Sequence, residues 1–390
     1  MNEELISLFD VSLFIFVAEV IRSFLAKYNL PNIVGELVAG MIIGPYALGN
    51  IINSLLGFQL ISLTSYVQFL AEFSVILLIF ASGLEHGITP IKAGGIYSFL
   101  GATLGALVPF FVSYYFFYTS FGVDSALFLG VSMGATSLAA VVSIIESERL
   151  GGKGIDFLFS ASSSDDIVDL ILLSTVLTLV GSSKITVQGL ALRVIELLTT
   201  WLIIFAVSAV LIPRISNKLS DKYIEEYPFV LIFSLTLIMV SLGFSPIIPA
   251  FIAGVSLANS SKSKRIREIS EILLSIFGSL FFVVIGAEVD LLTINFHVIL
   301  LSLLLTTIAS IFKWIGVFPF AYLKLKDVKL ANVVSIGMIP RGETGLVVAS
   351  IGMSLNALNQ VEFESIVLMS LLTTLVGGIL FKLLMERIKK

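Results

Sequence analysis

Residues 31–45 read Pro-Asn-Ile-Val-Gly-Glu-Leu-Val-Ala-Gly-Met-Ile-Ile-Gly-Pro, an apolar stretch bounded by prolines and interrupted by a single acid. Its segment 35–40, Gly-Glu-Leu-Val-Ala-Gly, has a counterpart at 249–254, Pro-Ala-Phe-Ile-Ala-Gly. A second pair follows in the same order, Ser-Gly-Leu-Glu at 82–85 and Ile-Gly-Ala-Glu at 285–288. The two matches predict an internal duplication.

Apolar runs of this kind fill the chain. Hydrophobic residues make up 57% of the sequence and charged residues 13%, whereas a soluble domain carries about 25% charged residues. Runs of about 20 apolar residues are what a bilayer requires. We therefore predict an all-α polytopic membrane protein, with lipid around it. Its thirteen predicted transmembrane helices lie at 6–27, 31–49, 63–84, 91–118, 122–147, 155–181, 188–214, 227–243, 246–259, 270–289, 295–324, 329–354 and 362–386.

The loop charges give these helices a direction. Basic residues at the predicted helix ends fall on one side, and only Lys184 lies in a loop on the other. The positive-inside rule then puts the N-terminus outside and the C-terminus in the cytoplasm. The duplicated segments are seven helices apart, so the two copies must cross the membrane in opposite directions. Inverted repeats are typical of secondary transporters, which favours a transporter over a channel or a membrane-bound enzyme.

Charged residues inside helix six mark the candidate site. Residues 162–169 read Ser-Ser-Ser-Asp-Asp-Ile-Val-Asp, and each ionisable residue deep in a membrane helix costs about 2.5–3.5 kcal/mol. Asp165 and Asp166 point about 100° apart, so one can face a water-filled cavity while the other meets a base. Lys313, deep in helix eleven, is the natural counter-charge. If helix six starts later, the aspartates lie at its cytoplasmic edge instead. Asp169 is either a third member of the cluster or a packing contact.

Two other helices are predicted to break at mid-membrane. Helix twelve contains Met-Ile-Pro-Arg-Gly-Glu-Thr-Gly at 338–345, where a proline and two glycines weaken the helix. Here Arg341 and Glu343 either satisfy the exposed helix ends or form salt bridges. Helix five, seven helices earlier, carries Thr136 and Ser137, whose oxygens either bind a hard cation or serve ordinary packing. Paired breaks in an inverted repeat indicate the binding site.

Five stretches resemble the cation–proton antiporter superfamily, and they lie at 31–45, 71–85, 246–258, 281–290 and 340–343. The adjacent aspartates are similar to those of the double-aspartate branch, whose members are typically electrogenic sodium/proton antiporters. The resemblance implies that Asp166 binds cation and proton alternately, that Asp165 pairs with Lys313, and that Ser162 offers a hydroxyl ligand. The cation ligands expected on all these grounds are Asp166, Asp165, Thr136, Ser137 and Ser162.

The resemblance also implies how the chain is divided. Residues 91–181 and 295–386 would form a moving core, 1–84 and 227–289 a dimer-forming panel, and 188–214 a linker helix. The core would move against the panel like an elevator, in a homodimer. Glu36 would line the cytoplasmic route or cap the break at Pro31.

The expected function is exchange of Na⁺ or Li⁺ for H⁺ across the plasma membrane of a prokaryote, in pH homeostasis. We expect no cofactor beyond the transported ions, no enzymatic activity and no nucleic-acid partner, since no basic cluster is interleaved with aromatic residues. Adjacent aspartates on one helix cannot form the shared-proton dyad of an aspartyl protease. The three serines and Asp169 depart from the pattern of the superfamily and leave the ion open, so a K⁺/H⁺ exchanger is an alternative. The other alternative is a sodium-coupled organic-anion symporter on a related ten-helix fold.

Overall fold

The computed structural model describes residues 2–28, 30–87, 89–138, 141–142, 144–145, 150–180 and 187–389. This part of the chain is all-α, with one short 3-10 turn and no strand. Its helices are α1 (Glu3–Ala26), α2 (Asn32–Ile43), α3 (Leu48–Leu56), α4 (Ser65–His86), α5 (Thr89–Phe121), α6 (Val123–Gly134), α7 (Lys153–Leu179), α8 (Val187–Lys218), α9 (Tyr227–Ser241), α10 (Ile247–Leu257), α11 (Ser263–Ala287), α12 (Phe296–Leu325), α13 (Val328–Gly337), α14 (Glu343–Ser354) and α15 (Gln360–Lys389).

The fold class predicted from the sequence is confirmed. Seven of the described segments are long and apolar enough to cross a membrane on length and composition alone, and shorter apolar helices lie between them. Two predicted boundaries are wrong. The helix expected to begin at residue 270 begins at Ser263. The span expected at 31–49 ends as a helix at Ile43, because Gly44 and Pro45 interrupt it, and the separate helix α3 follows. The final part of the span expected at 122–147 lies largely outside the described residues.

The duplication appears as two matching helix crossings. At one, α2 meets α11 so closely that a Cβ on Gly40 would lie 1.9 Å from the Val283 carbonyl oxygen. At the other, α10 meets α4, and a Cβ on Gly254 would lie 2.1 Å from the Phe80 carbonyl oxygen. Only glycine permits such approaches between backbones, which is why small residues are common at membrane helix interfaces.

Each crossing also has a second glycine on the opposite helix. A Cβ on Gly286 of α11 would lie 2.2 Å from the Leu37 carbonyl oxygen of α2, and one on Gly83 of α4 would lie 2.5 Å from the Phe251 carbonyl oxygen of α10. The repeated sequence segments are therefore the contact surfaces of the crossings. In both, a helix of one repeat packs on a helix of the other, which confirms the inverted repeat.

This close packing predicts a large difference between two identical substitutions. Gly254→Ala forces α10 away from α4 and should lower stability by about 1–3 kcal/mol. Gly278→Ala on α11 is the control, because its Cβ would meet only side-chain atoms at 3.7 Å or more. The thermal unfolding midpoint of the detergent-purified protein should fall for the first variant and stay near wild type for the second. Equal midpoints would contradict the tight crossing.

The two predicted breaks cross each other at the centre of the molecule. Helix α6 ends at Gly134, α13 ends at Gly337, and non-helical backbone follows each. The Ser137 amide donates to the Pro340 carbonyl at 2.8 Å, and the Thr136 hydroxyl donates to the Met338 carbonyl at 3.1 Å. The carbonyl end of α6 and the amide end of α14 thus meet where α7 passes.

Candidate ion-binding site

A fully buried ion pair lies beside the crossing. Lys313 of α12 donates from Nζ to both oxygens of Asp165, at 2.7 and 2.8 Å, and to the Gly134 carbonyl at 2.6 Å. Both side chains have no exposed surface. An ammonium group has three protons to donate, so these three contacts use all of them. The pair joins α7, α12 and the end of α6.

Asp166 faces a different neighbour. Its side chain is half-buried, and its Oδ2 accepts a hydrogen bond at 3.2 Å from the Ser82 hydroxyl of α4. Glu343 at the start of α14 also faces it. The two adjacent aspartates therefore point to different partners, as their angular separation on a helix requires. Asp165 is closed off by its pair with Lys313, and Asp166 is the more accessible of the two.

Arg341 stabilises the crossing from within. Its guanidinium is fully buried and donates to the carbonyls of Gly134 at 3.3 Å, Ala309 at 3.1 Å, and Ala135. The final carbonyls of a helix lack intrahelical partners and carry partial negative charge, so a cation is favourable at the end of α6. Thr374 binds the Arg341 carbonyl at 2.6 Å, which fixes the extended segment on α15. Arg341 was predicted either to satisfy the ends of the broken helices or to form salt bridges. In the structure, its guanidinium contacts the carbonyl groups at the end of α6.

Hydroxyl and carboxylate oxygens surround this centre. Glu343, the first residue of α14, accepts a hydrogen bond from the Ser137 hydroxyl at 3.0 Å. The Thr136 and Ser137 hydroxyl protons are used inside the crossing, and their oxygens keep lone pairs for a cation. Ser162 is buried one turn before Asp166 on the same face of α7. Within the described residues, no group of three or more His, Cys, Asp or Glu side chains is arranged to hold a resident metal ion.

Two positions differ from what the sequence indicated. Ser82 was not predicted at the site, because the segment 82–85 was interpreted only as part of the duplication. Glu36 is buried with its Oε1 3.8 Å from Arg22 of α1, and this partner had not been foreseen.

Comparison with known proteins decides the family. The model of the family described as "Sodium/hydrogen exchanger, transmembrane" matches residues 12–387. The chain belongs to this sodium/hydrogen exchanger family. It is 28% identical over 381 residues to the Na⁺/H⁺-K⁺ antiporter GerN of Bacillus cereus, which covers 94% of this chain and 93% of the relative. It is 27% identical over 383 residues to a Na⁺/H⁺ antiporter of Enterococcus hirae, covering 96% and 97% of the two chains.

A solved structure shows the same fold. The sodium proton antiporter MjNhaP1 from Methanocaldococcus jannaschii superposes with a TM-score of 0.78 at 17% identity, covering 98% of this chain and 97% of that one. The predicted membership of the cation–proton antiporter superfamily is confirmed. These relatives are named as antiporters, which are transporters and not enzymes.

Proposed function

We propose that this family member exchanges sodium for protons, and that Asp166 binds the two ions alternately. The observation that supports this is a half-buried carboxylate beside a closed Asp165–Lys313 pair, at the crossing of two broken helices. A carboxylate that holds a proton has lost the negative charge that attracts a cation. Sodium and proton therefore compete for one group, and competition at a single site couples their movements.

The remaining ligands for the cation come from the same centre. Na⁺ is a hard cation, and such cations take oxygen ligands. Asp165 and the hydroxyls of Thr136, Ser137 and Ser162 would complete the set around Asp166. Arg341 and Glu343 hold the two helix ends at the crossing and thus keep these oxygens in place.

The charge balance supports electrogenic exchange. Sodium binding at Asp166 displaces its proton, and sodium at Asp165 removes the partner of Lys313. If one further proton then leaves this cluster, two protons exchange for each sodium and one net charge crosses the membrane per cycle.

Alternating access would follow from movement of a core against a panel. We assign α5–α7 and α12–α15 to the core, α1–α4 and α9–α11 to the panel, and α8 to the linker. The glycine crossings lie inside the panel, and the helix-break crossing lies inside the core. Side-chain hydrogen bonds between the two groups run from Ser82 to Asp166 and from Gln360 to the Glu288 carbonyl at 3.0 Å, beside apolar packing in which residues of both groups share one buried cluster. Such bonds can break while each group moves as a unit, and the panel would form the homodimer.

The test is proton flux in proteoliposomes with sodium, lithium and potassium offered in turn. Sodium and lithium are expected to drive flux. Potassium is the second candidate ion, because the relative GerN is named as an antiporter that also involves K⁺. Flux with potassium but not with sodium or lithium would mean that potassium is the substrate. Absence of flux with all three cations would reject cation exchange.

Topology gives a separate prediction. We place the protein in a prokaryotic plasma membrane with the N-terminus outside and the C-terminus in the cytoplasm, because the loop lysines and arginines lie on one side. A reporter fused after Lys390 should be cytoplasmic, and a tag before Met1 should react with a membrane-impermeant reagent outside. Both termini on one side would mean an even number of spans, which contradicts the assignment.

A further inference from the structure

Asp169 is a buried carboxyl group for which the described part of the chain provides no hydrogen-bond partner. It has no exposed surface, and neither of its oxygens has a partner among the described residues. Burying a polar group without a hydrogen bond is costly, and burying an unpaired charge costs far more. Buried polar groups almost always have a partner, so this one needs an explanation.

Its surroundings lead to Lys313. Asp169 lies one turn after Asp165 on the same face of α7. Its Oδ1 is 3.0 Å from the position that a Cβ on Gly134 would take, and the Gly134 carbonyl accepts from Lys313 Nζ at 2.6 Å. Asp169 and Lys313 thus both approach Gly134. Among the described residues, the charged groups that interact electrostatically with Asp169 are Asp165 and Asp166 of α7, Lys313 of α12, and Arg341.

The present arrangement favours the neutral acid. Lys313 is fully engaged with Asp165 and Gly134, so no ammonium proton is left for Asp169. A charged Asp169 would have two other carboxyl groups beside it and no hydrogen-bond partner among the described residues, since Arg341 nearby donates to the Gly134 and Ala309 carbonyls instead. Holding a proton removes that charge.

We propose that Asp169 is the alternative partner of Lys313, to which the ammonium moves when sodium occupies Asp165 and Asp166. The proposal rests on the proposed function and names the source of its second proton. As Lys313 arrives, Asp169 releases its proton and becomes the carboxylate of the new pair. Asp166 releases the other proton, and Lys313 stays charged throughout.

The charges balance in the sodium-loaded state. Three carboxylates, Asp165, Asp166 and Asp169, then face Lys313, Arg341 and one sodium ion, so the sum is zero. Glu343, half-buried at the start of α14, keeps the same charge in both states, so it does not alter the exchange of two protons for one sodium. In reaching this state, the site has released two protons and bound one sodium ion.

The movement of Lys313 is short. Side chains four residues apart on a helix have Cβ atoms about 5–6 Å from each other, so Asp165 and Asp169 are within reach of one flexible side chain. Lys313 also runs past Gly105 of α5, where a Cβ would be 3.3 Å from its Cδ and Cε. Glycine at this position allows the lysine side chain to pass close to α5.

The rival mechanism is loss of a proton by Lys313 itself, and Asp169→Asn separates the two. Asparagine has no proton to release, so exchange should continue with one proton per sodium. When one net charge moves per cycle, a membrane potential of 100 mV shifts the sodium gradient at which net flux reverses by almost fifty-fold. This shift should disappear in Asp169→Asn and return in Asp169→Glu. The exposed Asp156→Asn on α7 is the matched control, which should behave as wild type.

The outcomes separate the proposal from the function on which it rests. A wild type that ignores voltage rejects two-proton exchange itself. A voltage-dependent wild type with an equally voltage-dependent Asp169→Asn overturns the role of Asp169 alone. A second test uses only the wild-type protein and so does not depend on the folding of a variant. Sodium added to the wild-type protein should remove two carboxylic-acid bands from its infrared difference spectrum, and loss of a single band would also overturn the proposal.

Discussion

Asp166→Asn is expected to reduce sodium-driven proton flux to the background of empty liposomes. Asparagine has nearly the same size and can still accept the hydrogen bond from Ser82. It has no negative charge for sodium and no proton to exchange. Folding and membrane insertion should be intact, so the variant should keep a wild-type elution profile and thermal midpoint. The measurement is proton flux in proteoliposomes under an imposed sodium gradient.

Two variants on the same helix serve as controls for Asp166→Asn. Asp156→Asn changes an exposed acid in the first turn of α7 and should keep wild-type flux. Asp169→Asn should lose less flux than Asp166→Asn. Substantial sodium-driven flux in a well-folded Asp166→Asn protein would remove this residue from the mechanism.

Competition at Asp166 has a consequence for wild-type kinetics. Protons and sodium share one carboxylate, so the apparent affinity for sodium should weaken as the pH falls. The sodium concentration for half-maximal flux, measured at several pH values, tests this. A half-saturation concentration independent of pH would mean that the two ions bind to separate groups.

A membrane potential alone is expected to drive sodium movement. If two protons enter for each sodium expelled, one net positive charge enters per cycle, and 100 mV contributes about 2.3 kcal/mol. That free energy shifts the sodium gradient at which net flux reverses by almost fifty-fold. The measurement is sodium flux in vesicles with a potassium–valinomycin potential and no pH gradient.

Lys313→Gln should weaken this voltage dependence, because glutamine has no ammonium to exchange between Asp165 and Asp169. The variant is informative even if its rate falls, since the reversal gradient does not depend on rate. A wild-type reversal point that ignores voltage would establish one-for-one exchange.

The sequence predicts the fold of this chain well, for reasons that are local. Apolar runs of membrane length locate the helices, and Gly35–Gly40 with its counterpart reveals the duplication. Pro340 with its glycines locates one helix break. Each of these signals lies within a single stretch of chain.

The partners within the site were harder to predict, because they depend on helices far apart in sequence. Helical geometry shows that Asp165 and Asp166 diverge, but it does not show that Ser82, 84 positions away, reaches Asp166. Nor does periodicity show that Arg22 approaches Glu36, or that no described residue hydrogen-bonds to either oxygen of Asp169. Contacts of this kind require the packed structure.

The glycine crossings have a consequence for biosynthesis. At these crossings the glycine surfaces of α2 and α4 meet α11 and α10, about 200 residues later in the chain, and translation at 5–20 residues per second takes about 10–40 s to reach them. During that interval the early helices lie in the lipid with their glycine surfaces uncovered. The panel therefore assembles after most of the chain has been inserted. A ribosome stalled before α10 should leave α2 and α4 accessible to the proteases that remove unassembled membrane segments.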